Sequence, residues 1–483
     1  MKTETTPTNT KTFPAFCGTE DRIDEVMRTP GPYYLPNSTV NFGTIQSCFA
    51  SALHMHQPLV PAQGNDLKTA QVISNLKSMM ENGDEYNASV FRSCYKRLGE
   101  FIPTLVDQGK KPRIMLDYSG SLLWGLIEMG YTDVIDALKI LNTPDHNACV
   151  EWLGTPWGHP VAPSTPVQDF RLHVRAWQHF FGEIFGADAL MRMRGFSPSE
   201  MALPNHPDVF YEFVKTLKEC GYRWVLVQEH TIELADPHSG GFDPYVPHKL
   251  IAKNSKGESL SITAIVKTQG SDTKLVAQMQ PYYEAKTLGR RELAGQSIPA
   301  LVTQIADGEN GGVMMNEFPS KYLEVMAEAT DTQTPAVNVS EYLEYLDSLG
   351  INEEDYPAVQ PIMQGRIWDR FQDSAGPEAL ENCITTLKQE DDRFHMEGGS
   401  WTSNLSWVHG YEDVLGPMQK ASALFSEKLL SKEVSTQDPQ YQEALFLLMC
   451  SQTSCFRYWG EGQWTDYGRE LCRRAMERMK DES

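Results

Sequence analysis

The chain has 483 residues, of which 41% are hydrophobic and 10% are aromatic. This composition is typical of a folded protein with a large core, and it excludes an intrinsically disordered chain. Asp and Glu number 64 against 42 Lys and Arg, so the formal net charge is -22. Such an acidic balance argues against nucleic acid or an anionic membrane as the main partner, and it fits an enzyme with a neutral substrate.

The cysteine content and the N-terminal sequence predict a cellular compartment. Nine cysteines in a chain of this length indicate reduced thiols and not a disulfide framework. Residues 1–15 are polar and rich in Thr, and they lack the apolar segment of a secretion signal. The sequence also lacks a stretch long and apolar enough to span a bilayer. We therefore expect a cytoplasmic protein without a membrane partner, whose oligomeric state the sequence does not indicate.

Strand-like and helix-like stretches alternate through the first two thirds of the chain. Residues 207–220 keep their apolar side chains on one helical face, and 248–266 has the pattern of a hairpin. Seven strands that alternate with helices predict an α/β fold, an incomplete (β/α)7 barrel. The predicted strands are 45–53, 113–116, 148–153, 189–194, 223–227, 261–266 and 301–306.

The pattern changes after the seventh strand. We predict an irregular N-terminal extension at 1–42, the barrel at 43–326, a polar linker at 327–339 and a C-terminal helical region at 340–483 that packs on the barrel. Helices and loops, without strands, are expected in this last region. Ser340 and Asp438 are the predicted N-caps of two of its helices, because their side chains can accept hydrogen bonds from free N–H groups.

Two carboxylates lie beyond the ends of predicted strands. Asp307 directly follows the apolar run 301–306, and Glu200 lies in 195–204, a segment with several Pro residues that follows the fourth strand. Catalytic groups of α/β barrels are displayed at the carboxyl ends of the strands, so both residues are candidates for catalysis. Glu309, two residues beyond Asp307, could share its face and is a second candidate for an acid.

Histidines and tryptophans lie in the same loops or late in the chain. His54 and His56 are two residues apart at a strand end and would point the same way, into the mouth of a barrel. Loop tryptophans, if exposed, would offer flat apolar faces on which sugar rings stack. The candidates for substrate contact are His54, His56, Gln57, Trp157, His159, Trp401, Trp407 and Trp459.

A pair of carboxylates in such surroundings meets the needs of retaining glycoside hydrolysis. One attacks the anomeric carbon, while the other protonates the leaving oxygen and later activates water; the two stand about 5–5.5 Å apart. Their environments must also separate their pKa values, so that one is ionised while the other holds its proton.

The chain resembles glycoside hydrolase family 57 from residue 45 to the C-terminus. The resemblance rests on four short motifs in the family's order: His-Gln-Pro at 56–58, Gly-His-Pro at 158–160, the Glu-bearing segment at 195–200 and Asp-Gly-Glu-Asn at 307–310. It implies a retaining enzyme that acts on α-glucans or malto-oligosaccharides. It also implies an incomplete seven-stranded barrel with a helical region beyond it, and no cofactor or metal.

The same resemblance implies roles for individual residues. Glu200 matches the family's nucleophile and Asp307 its general acid/base. The histidines at 54, 56 and 159 match residues that line the subsite of cleavage, and Trp401 matches an aromatic residue that reaches this site from the helical region. The fifth motif departs from the family, because Ser454 and Cys455 occupy a place where many members have an acidic residue. This departure leaves the substrate open.

Several functions remain open at this stage. Hydrolysis of α-glucosidic bonds, as in an amylase or a pullulanase, is the main hypothesis, and transfer, as in a 4-α-glucanotransferase or a branching enzyme, is its alternative. A metal-dependent barrel hydrolase could use His54 and His56 as zinc ligands, completed by Asp307 and by His159 or His230. An inactive glucan-binding protein could use the tryptophans alone, although the retained carboxylates argue against it.

Overall fold

A computed structural model describes residues 14–64, 66–268, 276–309, 317–401, 412–458 and 462–480. Its strands are β1 Ser47–Met55, β2 Leu59–Gln63, β3 Gln71–Ser74, β4 Ile114–Tyr118, β5 Val150–Gly154, β6 Gly195–Phe196, β7 Trp224–Gln228, β8 Ile232–Leu234, β9 His248–Lys253, β10 Ser259–Lys267, β11 Arg291–Leu293, β12 Gln296–Ile298, β13 Ala300–Asp307 and β14 Ala358–Pro361. Its helices are α1 Glu20–Arg28, α2 Asn75–Glu81, α3 Glu85–Lys96, α4 Leu98–Asp107, α5 Gly120–Glu128, α6 Thr132–Ile140, α7 Val167–Phe185, α8 Ala187–Met191, α9 Pro207–Glu219, α10 Gln280–Ala285, α11 Phe318–Ala329, α12 Val339–Ser348, α13 Gln364–Trp368, α14 Pro377–Glu390, α15 Glu412–Phe425, α16 Pro439–Ser451, α17 Cys455–Tyr458 and α18 Gln463–Arg478.

Seven parallel strands form the barrel, in the order β13-β1-β4-β5-β6-β7-β10. The pairing of Lys267 on β10 with Thr303 on β13 closes the ring at a single position. Strands β9, β14 and β8 continue the sheet outward from β10. The predicted (β/α)7 barrel with a C-terminal helical region is therefore confirmed.

Alternate residues of each strand face the inside of the barrel. On β1 the side chains of Cys48, Ala50 and Ala52 belong to one apolar cluster, which we assign to the barrel interior. Phe49 and Leu53 belong to a second cluster, between the strands and the helices. The interior positions of β1 hold small residues because side chains from all seven strands share that space. The next interior positions toward the carboxyl ends are polar, and they form the site described below.

Helix α12 covers the amino end of the barrel. Its Tyr342 packs in the interior cluster, and its Glu341 accepts hydrogen bonds from Arg113 at 3.1 and 3.2 Å. Asn338 and Glu341 form the capping box of this helix. The prediction that Ser340 is the N-cap is therefore wrong. Ser340 lies within the helix, where its buried hydroxyl bonds to the Glu151 carboxylate.

Three further predictions of secondary structure are wrong. The fourth strand was expected at 189–194, but the first half of this run belongs to α8 and the strand is the two-residue β6. A short apolar run does not distinguish a buried helix from a strand, which explains the error. Strand β14 lies in the region where only helices were expected, and α1 lies in the extension expected to be irregular. Both elements are short, and their sequences lack a strong periodic pattern.

Three local predictions of secondary structure, a helix, a hairpin and a helix N-cap, are confirmed. Helix α9 occupies the predicted helical stretch, and strands β9 and β10 form the predicted hairpin. Asp438 caps α16 by accepting a hydrogen bond from the Gln440 N–H at 2.7 Å. All nine cysteines are free thiols. Within the described ranges, no helix combines the length and apolarity needed to cross a lipid bilayer.

The segment that follows α11 lies along the barrel. The Phe49 N–H donates to the Pro335 carbonyl at 3.2 Å, and the Val337 N–H donates to the Phe49 carbonyl at 2.9 Å. Residues of α15, α16 and α18 share the large apolar cluster with the strands and helices of the barrel. The C-terminal helices therefore pack directly on the barrel, while the exact domain boundaries stay a prediction.

Gly195 on β6 provides a test of barrel packing. A Cβ at this position would overlap the ring of Trp224, a fully buried residue whose indole N–H donates to Ser340 at 3.0 Å. We expect Gly195→Ala to lower the free energy of unfolding by about 1–3 kcal/mol, because the fixed ring cannot move away. Thermal and denaturant unfolding measure this change. Gly416→Ala in α15 is the control: its Cβ meets open space, so no loss is expected. An unchanged stability of Gly195→Ala would contradict this account of the packing.

Candidate active site

The site is built on three adjacent strands in parallel register. On β1, His54 pairs with Asp307 of β13 on one side and with Asp117 of β4 on the other. All three occupy interior positions at the carboxyl ends of their strands. The His54 Nδ1 lies 3.0 Å from Asp117 Oδ2, and the Asp117 side chain is only 1% exposed. The register thus places a histidine between two carboxylates at the mouth of the barrel.

The His54 imidazole is protonated in these surroundings. Its burial opposes the charged form, but the charge and hydrogen bond of Asp117 outweigh this effect, helped by the charges of Asp307 and Glu309. Together they raise the pKa of His54 to about 10. His54 is therefore a cation at neutral pH and forms an ion pair with Asp117.

Glu200 lies in the short 3-10 turn Ser199–Met201 beyond β6. Its backbone has φ 59° and ψ 17°, a left-handed conformation that is uncommon for a residue other than Gly. The Trp401 N–H donates to the Glu200 carbonyl at 3.0 Å, and the Ser454 hydroxyl bonds to the carboxylate at 2.8 Å. The C-terminal region therefore holds both the backbone and the side chain of Glu200.

The pKa of Glu200 responds to opposing influences. Desolvation is the largest and raises this pKa, and the nearby negative charge of Asp307 raises it further. Hydrogen bonds from the Ser454 and Trp401 side chains and the positive charge of His54 lower it. The donors thus favour the ionised form of a carboxylate that burial would otherwise protonate.

Asp307 lies at the end of β13, where its side chain is exposed to solvent at the barrel mouth. Surrounding protein nevertheless desolvates it enough to raise its pKa. The charge of His54 lowers this pKa, whereas the charge of Asp117 raises it. Asp307 and Glu200 therefore lie close enough to interact electrostatically. Ser454 and Trp401 lower the pKa of Glu200 through hydrogen bonds, whereas Asp117 raises the pKa of Asp307 through its charge.

Three histidines form a contact cluster in the site. The His159 ring centroid lies 4.0 Å from that of His56 and 4.6 Å from that of His54, in stacked geometry. Burial and the neighbouring imidazoles lower the pKa of both His56 and His159, so these two rings are neutral. His56 Nδ1 lies 2.8 Å from the Ser119 hydroxyl, and His159 Nδ1 lies 2.8 Å from that of Ser454.

Glu309 has a different environment from Asp307. It is 8% exposed and accepts a hydrogen bond from the His56 backbone N–H at 2.8 Å. Burial and the charge of Asp307 raise its pKa to about 7. Its own charge in turn raises the pKa of Tyr95 and Tyr118, two fully buried residues. Glu309 thus supports His56 from within the protein.

Comparisons with known proteins identify the family. The sequence profile described as "Glycosyl hydrolase family 57" matches residues 50–360. The chain belongs to glycosyl hydrolase family 57. The histidine cluster, Glu200 and Asp307 all lie within the matched residues. A comparison with curated protein sequences gives no match.

Solved structures share the family-57 fold. A 4-alpha-glucanotransferase from Thermococcus litoralis is similar with a TM-score of 0.56 and 17% identity, over 91% of this chain and 61% of that one. This chain therefore spans less than two thirds of that enzyme. A GH57-type branching enzyme from Pyrococcus horikoshii is similar with a TM-score of 0.55 and 11% identity, over 89% of this chain and 88% of that one.

The family-57 site does not have the form of a metal centre. The histidine rings stack face to face, and His54 Nδ1 is already bonded to Asp117. Nitrogens of stacked rings point along their own ring planes, so they do not converge on a shared ion. Within the ranges that the structure describes, no group of three or more His, Cys, Asp or Glu side chains could hold a metal. His230 lies on the exposed face of a 3-10 turn.

The remaining sequence-predicted residues are not all at the surface of the site. Trp157 has no exposed surface and packs against Phe16 and Phe180 in the core. Gln57 is 6% exposed, and its side-chain oxygen accepts a hydrogen bond from Asn75. Both side chains are buried beneath the loops that follow the strands, and they support those loops. The predicted Trp407 and Trp459, and Asn310 of the fourth motif, lie outside the described residues.

Two further residues of the site were not singled out from the sequence. Asp117 directly follows the apolar run 114–116, so the reasoning that found Asp307 could have found it. Ser119, two residues beyond Asp117, contacts His56 Nδ1. A serine after a strand has no distinctive signal, because serine is common at helix N-caps and Ser119 also caps α5.

The ion pair of His54 gives a pH-dependent prediction. Because the folded-state pKa is raised above its ordinary value of 6.5, the stabilisation is fully present below pH 6.5 and is lost as the pH rises through about 10. Asp117→Asn removes the charge, so we expect the His54 pKa to fall and this stabilisation to disappear. Imidazole NMR titration of histidine-labelled protein measures the pKa. Asp133→Asn is the control. It breaks the exposed ion pair between Asp133 and Arg92, whose charged atoms lie 2.7 Å apart, and it should leave the His54 pKa unchanged. If the His54 pKa is unaltered in Asp117→Asn, the ion pair with Asp117 is not the cause of the raised pKa.

Proposed function

We propose that the protein is a retaining glycosidase that acts on α-glucans, with Glu200 as nucleophile and Asp307 as general acid/base. The observation that carries this proposal is the difference between the two carboxylates. Hydrogen bonds from Ser454 and Trp401 stabilise the ionised form of Glu200. Desolvation, the largest influence, raises the pKa of Asp307 and favours its protonated form; the charge of Asp117 adds to this effect, while the charge of His54 opposes it. Retaining glycosidases need this division between an ionised nucleophile and a protonated acid.

The reaction follows from these protonation states. The Glu200 carboxylate attacks the anomeric carbon, and the bond to the leaving oxygen breaks as Asp307 donates its proton to that oxygen. The product is a glycosyl-enzyme ester on Glu200 and an ionised Asp307. An acceptor hydroxyl then gives its proton to Asp307 and attacks the anomeric carbon, which frees Glu200. Two displacements at one carbon retain the α configuration.

The choice of Asp307 over Glu309 rests on accessibility. Asp307 is exposed at an interior position of β13, whereas Glu309 is buried and already accepts the His56 N–H. A general acid must come within hydrogen-bond distance of the leaving oxygen, which requires an open approach. Glu309 instead fixes the backbone of His56 and, through it, one wall of the site.

The histidines provide contacts for sugar hydroxyls. Nε2 of His54 and Nε2 of His159 are both buried and have no hydrogen-bond partner among the described residues. Buried nitrogens in this state gain a hydrogen bond when a ligand hydroxyl reaches them. The protonated His54 can donate a hydrogen bond to one sugar hydroxyl, and the neutral His159 can form a hydrogen bond with the next hydroxyl. These contacts favour an uncharged polyhydroxyl ligand such as a glucan.

Hydrolysis and transfer differ in the acceptor that captures the glycosyl-enzyme. Water as acceptor makes the protein an amylase or a pullulanase, and this is our main proposal. Transfer to a sugar hydroxyl is the second candidate. It is favoured by the likeness to two solved enzymes, a 4-alpha-glucanotransferase and a branching enzyme. Those names belong to proteins at most 17% identical to this chain, so product analysis must decide.

Product analysis on amylose, amylopectin and pullulan, with Glu200→Gln as the reference, tests the proposal. We expect new reducing ends with the α anomer formed first, which NMR detects before mutarotation. Glu200→Gln should lower the rate by at least ~10³-fold, because no covalent intermediate can form. Altered chain length or branching without new reducing ends would make the protein a transferase. A β anomer, or near-normal turnover in Glu200→Gln, would overturn the proposed mechanism.

Asp307→Asn and Glu309→Gln separate the two candidate acids. Asp307→Asn should lose ~10²–10⁴-fold on a glucan, because loss of a general acid has about this effect. On an aryl α-maltooligoside with an acidic phenol the loss in the first step should be much smaller, since that leaving group needs no proton. Glu309→Gln should affect both substrates equally. Steady-state and burst kinetics on both substrates measure the loss of rate in each variant. The reverse pattern would assign the acid to Glu309.

A further inference from the structure

Ser454 lies between two groups of the active site that are not hydrogen-bonded to each other. Its hydroxyl oxygen is 2.8 Å from Glu200 Oε1 and 2.8 Å from His159 Nδ1. The direct distance from His159 Nδ1 to Glu200 Oε1 is 3.8 Å, too long for a hydrogen bond. The hydroxyl therefore bridges the histidine and the carboxylate.

The main chain fixes the position of this hydroxyl. Ser454 is 3% exposed and lies in the turn between α16 and α17. Its N–H donates to the His159 carbonyl at 2.9 Å, and the preceding Thr453 forms an antiparallel bridge with Pro160. The turn of the C-terminal region is thus bonded to the loop that carries His159, and Ser454 has little freedom to move.

Counting protons gives the direction of both hydrogen bonds. A hydroxyl has one proton, and an ionised carboxylate can only accept, so Ser454 donates to Glu200. The bond to His159 must then run from its Nδ1–H to the serine oxygen. His159 is neutral because burial and the neighbouring histidines lower its pKa. The single proton therefore lies on Nδ1, and the buried Nε2 is an acceptor.

We propose that Ser454 is a positioning residue for catalysis, which orients the Glu200 carboxylate and fixes His159 as the Nδ1–H tautomer. This inference rests on the proposed role of Glu200 as nucleophile. It predicts that His159 accepts, through Nε2, a hydroxyl proton of the sugar bound at the cleavage site. The residue is supplied by the C-terminal region, 254 positions away from Glu200 in the sequence.

Several groups besides Ser454 act on the titration of Glu200. Asp307 raises its pKa, whereas His54 and Trp401 lower it. The Cys455 thiol is a further neighbour, but burial raises its pKa to about 12, so it stays neutral. Because Ser454→Ala leaves these groups in place, a change in the pH profile reports the loss of the serine hydrogen bond.

The test compares Ser454→Ala with Ser454→Thr and Ser451→Ala on a soluble malto-oligosaccharide. Ser454→Ala should lower kcat roughly 10–100-fold, the usual effect of losing a hydrogen bond to a charged group. Because Glu200 must be ionised to react, activity falls as the pH drops through its pKa. Without the serine donor this pKa rises, so the acidic limb of the kcat/KM profile should move to higher pH.

The other variants separate positioning from folding. Ser454→Thr keeps a hydroxyl and should recover most of the lost rate and the original acidic limb. Ser451→Ala removes a buried hydroxyl of α16 that donates to the Leu448 carbonyl, and it should leave the rate and the acidic limb unchanged. Thermal unfolding of each variant checks the fold. If Ser454→Ala does not fold, Ser454→Cys, which keeps the volume but donates weakly, should show the same shift in part.

Each outcome supports or overturns the inference. A lower rate with a shifted acidic limb, recovered by threonine, supports it. An unaltered rate, or a lower rate with an unmoved limb that threonine does not recover, overturns it. Glu200→Gln is measured in parallel, because it shows whether the Ser454 inference alone is wrong or whether the proposed function is wrong as well. An inactive Glu200→Gln beside an unaffected Ser454→Ala rejects only the serine role, whereas an active Glu200→Gln rejects the proposed function.

Discussion

The alignment of β13, β1 and β4 is the constraint on which the site depends. It places His54 level with Asp307 on one side and Asp117 on the other, all on the inner face of the barrel. Because the side-chain period of a strand is two, a shift of one residue would turn these groups out of the barrel. Desolvation raises the pKa of Glu200, Asp307 and Glu309, and the charge of the protonated His54 opposes this rise in all three.

The barrel does not form this site alone. Two strand-end loops adopt strained backbone conformations, with φ 59° at both His159 and Glu200. Each loop is bonded to a segment of the C-terminal region: Pro160 bridges Thr453, and Leu203 bridges Gly399. Left-handed residues persist where their surroundings hold them, and such strain concentrates at functional sites. The C-terminal region therefore holds the two loops in place and adds side chains that act on Glu200.

The sequence reveals the parts of the site that depend on one strand and the loop after it. Asp307 and His54 follow apolar runs, so their display at the barrel mouth was predictable, and the same rule would have found Asp117. The bond between Ser454 and Glu200 joins residues 254 positions apart, and no local pattern encodes it. Strand β6 has two residues, which is too short for any periodicity to show. The protonation states of the histidines were also beyond prediction, since they arise from tertiary neighbours.

The division of charge among the histidines explains which ligands the site can accept. His54 is held as a cation by Asp117. His56 and His159 stay neutral because burial disfavours their charged forms and because a second charge beside His54 would be repelled. A sugar hydroxyl both donates and accepts, so adjacent hydroxyls can satisfy a donor on one ring and an acceptor on another. An anionic sugar would be repelled by the ionised Glu200 in a site of low dielectric. Under the proposed function, this arrangement favours a neutral, hydroxyl-rich ligand through local charge, independently of the net charge of the chain.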